Sequence, residues 1–233
     1  MTSPASTNII ALIPAYNESR HIGQVVGQAR KHLPVLVVDD GSADDTASIA
    51  RQAGAEVLRQ TPNQGKGAAL MNGFRHSVQR GYEAVVMLDA DGQHDPDEIP
   101  SFLSAFTASH PDLIIGQRDF RYMPRLRRTT NTFGTWAFSW AIGQPIPDNQ
   151  SGYRLLSRRM MEATLASRET NFEFEVEMIV VCVLRGYRLA WVPIRTIYGD
   201  ETSHIRPLRH AYNFMRMVFQ TRRVIRQNKN RKP

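Results

Sequence analysis

Short apolar runs that each end in a cluster of acidic and polar residues constrain this chain more than any other feature. Ile9–Ile13, Val35–Val38, Glu56–Leu58, Ala84–Leu88 and Leu113–Ile115 read as strands. Glu18–His32, Asp44–Ala53, Ala68–Arg80 and Pro96–Thr107 read as the helices between them. Near-continuous apolar strands alternating with helices predict a parallel sheet covered on both faces. Right-handed crossovers then give a doubly wound α/β layer whose ligands bind beyond the carboxyl ends of the strands. The polar clusters Pro14–Glu18, Asp39–Asp45, Asp89–Asp95 and Gly116–Asp119 stand at those ends.

The rhythm changes after Asp119. Arg121–Arg128 reads as a basic loop, Thr129–Ile142 as an aromatic-rich helix and Pro145–Gly152 as a turn-rich segment. Phe172–Arg185 predicts a helix, Arg188–Ile197 one or two strands, and Pro207–Arg226 a basic amphipathic helix. No repeat or low-complexity linker interrupts the 233 residues. The division expected is one domain over residues 1–200 and a basic extension over 201–233.

Charge sharpens that division. The chain has 29 basic and 22 acidic residues, yet nine basic residues and no acidic one follow Glu201. The body is therefore slightly acidic and the tail strongly basic. This argues against a nucleic-acid-binding body and for an anionic surface met by one end of the chain. Met1–Ser6 lacks the basic and apolar regions of a secretion signal, and Phe133–Ile142 and Met178–Leu184 are far shorter than a membrane span. The single cysteine, Cys182, excludes an internal disulfide and sits in an apolar run as a core thiol. A cytoplasmic location is expected, with peripheral attachment at the inner face of the membrane.

Two strand ends carry candidate chemistry. Asp89-Ala90-Asp91-Gly92-Gln93 places two carboxylates on one side of the chain, with Gln93 as a neutral oxygen. Hard oxygen donors of this kind suit Mg²⁺ or Mn²⁺ carrying phosphate ligands. The same residues also serve turns and the helix opening at Pro96, as Asp89 and Asp95 would do by capping. Asp39-Asp40 closes a second strand, with Asp40 placed to accept hydrogen bonds from a base or ribose and Asp44 or Asp45 to cap a helix. Neither a Gly-x-Gly-x-x-Gly after the first strand nor a P-loop is present. Asn63-Gln64-Gly65-Lys66-Gly67 has no preceding strand and no following hydroxyl residue.

Together Pro14–Glu18, Asp39–Thr46, Asn63–Leu70 and Asp89–Pro96 resemble, in order and spacing, glycosyltransferase family 2, inverting enzymes of the GT-A fold. The resemblance runs from about Ile9 to Pro207 and is nearest to the dolichol-phosphate mannose/glucose synthase-like branch. It implies a nucleotide pocket lined by Pro14, Tyr16, Glu18, Val38 and Asp40, with Lys66 from the third motif. Asp89 and Ala90 would contact nucleotide, while Asp91 and Gln93, with Asp89, would hold the metal on the diphosphate. Gly116-Gln117-Arg118 matches a segment whose arginine faces phosphates, and Asp148–Arg154 matches the acceptor-side segment. Phe174–Met178 and Val192–Ile194 match further downstream. Gln150–Arg154 is nearer the glucosyl than the mannosyl pattern. Thr196 stands where many members carry a basic residue, which leaves His204 and Arg206 to replace it.

What the resemblance implies is displacement at a sugar's anomeric carbon, from a nucleotide-sugar of GDP-mannose or UDP-glucose type to a polyprenyl phosphate. Asp91 and Arg118 are the expected catalytic residues, and Arg118 and Arg128 the expected phosphate contacts. A hydroxyl acceptor, glycan or protein, would instead need a base, for which Asp148 is the candidate. A non-catalytic adaptor binding membrane or nucleic acid through its tail is a third reading, and the acidic pairs count against it. Trp136, Phe138 and Trp140 fit either a core or a lipid interface. His94 is expected to support the site rather than to ligate.

Overall fold

The computed structural model describes residues 8–122, 125–167, 174–195 and 207–229. Seven strands form one sheet: β1 (Ile9–Ala15), β2 (Val35–Asp39), β3 (Glu56–Arg59), β4 (Ala84–Met87), β5 (Leu113–Arg118), β6 (Arg154–Ser157) and β7 (Leu189–Ile194). Their spatial order is β3-β2-β1-β4-β6-β5-β7, parallel except for β6, which runs antiparallel to both β4 and β5. Every residue of β1, β2 and β4 is buried, as strands covered on both faces must be.

Alternation along β1 divides the interior into two cores. Ile9, Ala11 and Ile13 face α1 (Ile22–Ala29), α2 (Thr46–Gln52) and α4 (Ile99–Ser109), where Val25, Val26, Ala50, Phe102 and Phe106 pack against them. Ile10 and Leu12 face α3 (Lys66–Gln79), α6 (Arg158–Leu165) and α7 (Phe174–Leu184), meeting Leu70, Phe74, Met160 and Ile179. Cys182 is fully buried in this second core. At Gly73 the helix passes so close to β1 that a Cβ would stand 2.4 Å from Leu12.

Several elements depart from the expected bounds. The first helix begins at Ile22 rather than Glu18, because the residues after β1 form a turn with Asn17 at φ 56°. The expected basic loop is cut short: Phe120–Tyr122 make a 3-10 turn, and α5 (Arg125–Ile142) starts four residues earlier than predicted. β6 and α6 lie where periodicity predicts nothing. Ser157 links them by accepting the Met160 amide as an N-cap.

The last helix, α8 (Pro207–Lys229), docks on the body through Met217, Val218, Thr221 and Ile225. Val218 packs on Ala137 and Ala141 of α5, while Asn228 Nδ2 donates to the Leu184 carbonyl at 3.2 Å. Burying three apolar side chains of this size contributes about 1.5–3 kcal/mol each. Leu208, Tyr212, Met215 and Phe219 recur at three- and four-residue steps along this helix. Phe219 is 58% exposed, and the side chains of Leu208 and Tyr212 lie outside the description. Among the described residues no helix is long and apolar enough to cross a membrane.

Candidate active site

Chain direction diverges on either side of β1, with β2 and β3 to one side and β4 to the other, which opens a crevice beyond their carboxyl ends. The loops after β1 and β2 are laced together there. The Asn17 amide donates to Ser42 Oγ at 2.9 Å, the Glu18 amide to Thr46 Oγ1 at 2.8 Å, and the Ala43 amide to Asn17 Oδ1 at 2.8 Å. Asp44 accepts the Thr46 and Ser19 amides. Against the lift from burial, these bonds hold its carboxyl down at about 2. Buried Asp39 accepts the Ser42 amide and pairs with Arg59 at 3.2 Å.

Asp40 reaches in the other direction. Its Oδ1 accepts the Gln64 amide at 2.8 Å and the Gln60 side chain, and its Oδ2 accepts the Gly65 amide at 2.7 Å. The carboxylate therefore pins the first turn of α3 to the cleft. A negative charge at a helix N-terminus is favourable, and the terminus itself presents partial positive charge to any phosphate nearby.

Lys66, the first residue of α3, spans two carboxylates. Its Nζ lies 2.7 Å from Asp89 Oδ1 and 3.0 Å from Glu175 Oε1 of α7. The side chain keeps 43% of its surface open to the cleft. Burial would lower the ammonium's pKa, but the two carboxylates outweigh it and push it up to about 12. Burial would likewise lift Asp89, yet the His94 ring and Lys66 hold it below the usual carboxylate range. The charge comes from Lys66. His94 Nδ1 accepts the Asp89 amide at 3.0 Å and so bears a lone pair, while burial keeps the ring neutral. His94 thus fixes the backbone of the Asp89–Gln93 turn and tilts against Tyr153 at 5.0 Å between ring centres.

Asp91 is half-buried and accepts the Gln93 amide at 2.9 Å. No three-residue group of His, Cys, Asp and Glu among the described residues forms a metal cage. One or two carboxylates at the mouth of a phosphate-sized cleft nonetheless fit a Mg²⁺ or Mn²⁺ ion that takes its remaining oxygens from a diphosphate and water. Asp91 is the carboxylate free of a lysine partner, so the donor set suits such an ion with Asp91 leading. Asp89 is already neutralised by Lys66.

The Asp148–Arg154 segment is held by two arginines. Arg118, at the end of β5, donates through Nε to Asp148 Oδ2 at 2.7 Å and through Nη2 to Oδ1 at 2.9 Å. Asp148 is 1% exposed and also accepts the amides of Arg118, Gln150 and Ser151. Arg154 on β6 is fully buried and donates to the carbonyls of Ser151, Asn149 and Glu175. Burial pushes its guanidinium down to about 10 against the pull of Glu175 and Asp148, which leaves it charged at neutral pH.

The cleft itself has about 260 Å³ of internal space and is lined by Pro14, Ala15, Tyr16, Glu18, Asp40, Lys66, Ala69, Asp89, Ala90 and Asp91. Tyr16, 49% exposed, offers its ring at the rim. Of the residues expected at the nucleotide, Val38 does not line the cleft. Its side chain points into the core beneath, because alternation along β2 sends it to the α3 face. Gln93 sits beside Asp91 without lining the cleft, and Arg128 is exposed on α5. Arg206 and His204 lie outside the described residues, as does Thr196. Ala15, Ala69, Glu175 and the buried Arg154 were not singled out as site residues. Each nonetheless lies within a segment that carries the resemblance: Pro14–Glu18, Asn63–Leu70, Phe174–Met178 and Asp148–Arg154.

Residues 10–191 match the family model described as glycosyl transferase family 2. The chain belongs to this family. The transferase is 36% identical over 211 residues to glycosyltransferase AglJ of Haloferax volcanii, covering 86% of this chain and 67% of that one. It is 32% identical over 201 residues to an undecaprenyl-phosphate mannosyltransferase of Micrococcus luteus, covering 80% and 82%. A polyprenol monophosphomannose synthase of Mycolicibacterium smegmatis is 31% identical over 208 residues, covering 79% and 76%. Among solved structures, glucosyl-3-phosphoglycerate synthase from Mycobacterium tuberculosis, in complex with Mn²⁺ and UDP-glucose, aligns with a TM-score of 0.69. It covers 93% of this chain and 78% of that chain at 20% identity, which shows the shared GT-A fold. The enzyme is therefore a glycosyltransferase built on a seven-stranded, mostly parallel sheet.

Proposed function

We propose that this transferase moves a hexose from a nucleoside-diphosphate sugar to a polyprenyl phosphate, with inversion at the anomeric carbon and with Mg²⁺ or Mn²⁺ on the donor. The observation that carries the acceptor reading is the Arg118–Asp148 pair. A phosphate monoester is an anion near neutral pH and attacks without a base, so it needs a cation to place it. Arg118 uses Nε and Nη2 on Asp148, which leaves Nη1 for a phosphate oxygen. A hydroxyl acceptor would need a free carboxylate, and Asp148 is buried with both oxygens engaged. Relatives named for undecaprenyl and polyprenol phosphates support the same acceptor class.

In this reading Tyr16 stacks on the base, Asp40 holds the first turn of α3, and Lys66 meets the donor phosphates. Asp91, with Asp89 and Gln93 beside it, holds the metal, which when bound supplies positive charge to the departing diphosphate. The acceptor oxygen forms a bond to the anomeric carbon as the bond from that carbon to the diphosphate breaks. Arg118 stabilises charge at the acceptor side, and Arg128 adds to the cationic approach. Asp148 is a positioning residue for Arg118.

The experiment is a panel of GDP-mannose, UDP-glucose and related donors, with and without polyprenyl phosphate, read as glycolipid formed. Transfer that needs the lipid phosphate supports the proposal. Transfer to a glycan or protein hydroxyl and none to the lipid phosphate would overturn it.

A further inference from the structure

Helix α5 has two unlike faces. Ala137, Phe138, Ala141 and Ile142 are buried against the body. Phe133, Trp136 and Trp140, at three- and four-residue steps, lie 53%, 66% and 46% exposed on the other side. Helix α8 continues that outer surface. Its inner stripe is buried, whereas Phe219 is exposed and packs edge-on against Trp140 at 6.3 Å, with Arg216, Arg223 and Arg226 exposed along the same helix. Arg222 fastens the two helices by donating to the Trp140 carbonyl at 2.8 Å and covering its ring at 4.8 Å.

We infer that this shared outer face of α5 and α8 is a docking surface for an anionic lipid bilayer. Two independent features select the occupant. Neither helix contains an aspartate or glutamate, while both carry several arginines, so no carboxylate on either helix offsets their positive charge. Trp and Phe rings set among arginines match the boundary between headgroups and acyl chains, where amphipathic rings are favoured and basic side chains meet anionic headgroups. An acidic protein partner would also accept rings and arginines, and it is distinguished below by the absence of vesicle binding.

The placement deepens the proposed reading, on which it rests for the acceptor alone. α5 is tied to the site at both ends: it follows Arg118 through a short turn, and its Ser139 hydroxyl accepts the Ile146 amide at 2.9 Å on the way to Asp148. A bilayer against α5 therefore meets the element that joins Arg118 to Asp148 along the chain.

The test is flotation of the full chain with phosphatidylcholine vesicles, with and without phosphatidylglycerol, together with tryptophan emission. The parent should float only with anionic vesicles, shift its emission to the blue, and release as salt rises. R216E/R223E/R226E should weaken partitioning by at least about a hundredfold, and F133Q/W136Q should reduce the blue shift to what Trp140 alone gives, with an unchanged melting temperature. Both variants should still glycosylate a short, water-soluble isoprenyl phosphate at the parent's rate. Absence of parent binding, or equal partitioning of parent and variants, overturns the inference. So does self-association by sedimentation equilibrium that F133Q/W136Q abolishes without any flotation, which would make the face a contact between copies. Failure on the soluble acceptor would strike the proposed reaction instead and leave flotation as the measure of the surface.

Discussion

Arg118 and Asp148 meet side-on in a bidentate ion pair, with the carboxylate buried and the guanidinium 20% exposed. The geometry makes the aspartate an anchor and leaves one edge of the arginine for substrate. Asp148→Asn should raise KM for polyprenyl phosphate strongly, lower kcat less, and cost about 1.5–3 kcal/mol of stability. Arg118→Lys should show the same kinetic pattern, and the double variant should be clearly less than additive. Additive effects, or loss of kcat with KM unchanged for Asp148→Asn, would return Asp148 to a chemical role.

Lys66 is the cation shared by Asp89 and Glu175. Lys66→Met removes a charge from the proposed diphosphate position and leaves Asp89 without its lysine partner. Titration calorimetry with the free nucleoside diphosphate should show binding weakened by about ten- to a hundredfold, equivalent to a charged hydrogen bond. Unchanged binding would confine Lys66 to a structural ion pair.

Asp91 is the carboxylate proposed to hold the metal. Thermal unfolding of the parent should rise with Mn²⁺ and UDP or GDP together by more than with either alone. Asp91→Ala should keep the melting temperature of the unliganded protein and lose that joint rise. A joint rise equal to the parent's would remove Asp91 from the metal site.

Asp112 illustrates a pH effect far from the cleft. It accepts Arg159 Nε at 2.8 Å, the Arg188 amide at 2.9 Å and Ser157 Oγ at 3.2 Å. Burial would raise its carboxyl, but these bonds hold it below the usual carboxylate range. The folded state therefore binds fewer protons than the unfolded one. The stabilisation is complete above about pH 4, the unfolded value, and is lost as pH falls through the lower folded value. Urea unfolding should show the parent losing stability below that pH more steeply than Asp112→Asn, which should cost about 1–3 kcal/mol at neutral pH. Parallel pH curves would show that the group does not titrate differently on folding.

The sheet's first half is legible in the sequence because β1, β2 and β4 are buried on both faces and so read as unbroken apolar runs. The strand-end acids followed from the same logic. β6 is not legible: it is four residues long, begins with an arginine, and borrows its hydrogen bonds from strands that are distant in sequence. Arg154 carries the signature of a surface residue, and only the carbonyls gathered around it explain its burial. Glu175 enters the site from more than a hundred residues beyond Lys66, a distance that local spacing does not encode. Val38 differs from Asp40 for a plainer reason: the two share a face of β2, but Val38 stands one step deeper, in the core beneath α3 rather than at the cleft.

At Gly152 the segment that carries Asp148 crosses the turn that carries Asp89. A methyl group there would stand 2.8 Å from Asp89 Oδ2 and 3.3 Å from the His94 ring. The two segments are thus separated by less than one carbon's thickness, with Asp89 already held in place by Lys66. Exchange of acceptor in descendants of this chain has little room at that crossing. Under the proposed reaction, such exchange would fall instead to the residues around Arg118 and along α5.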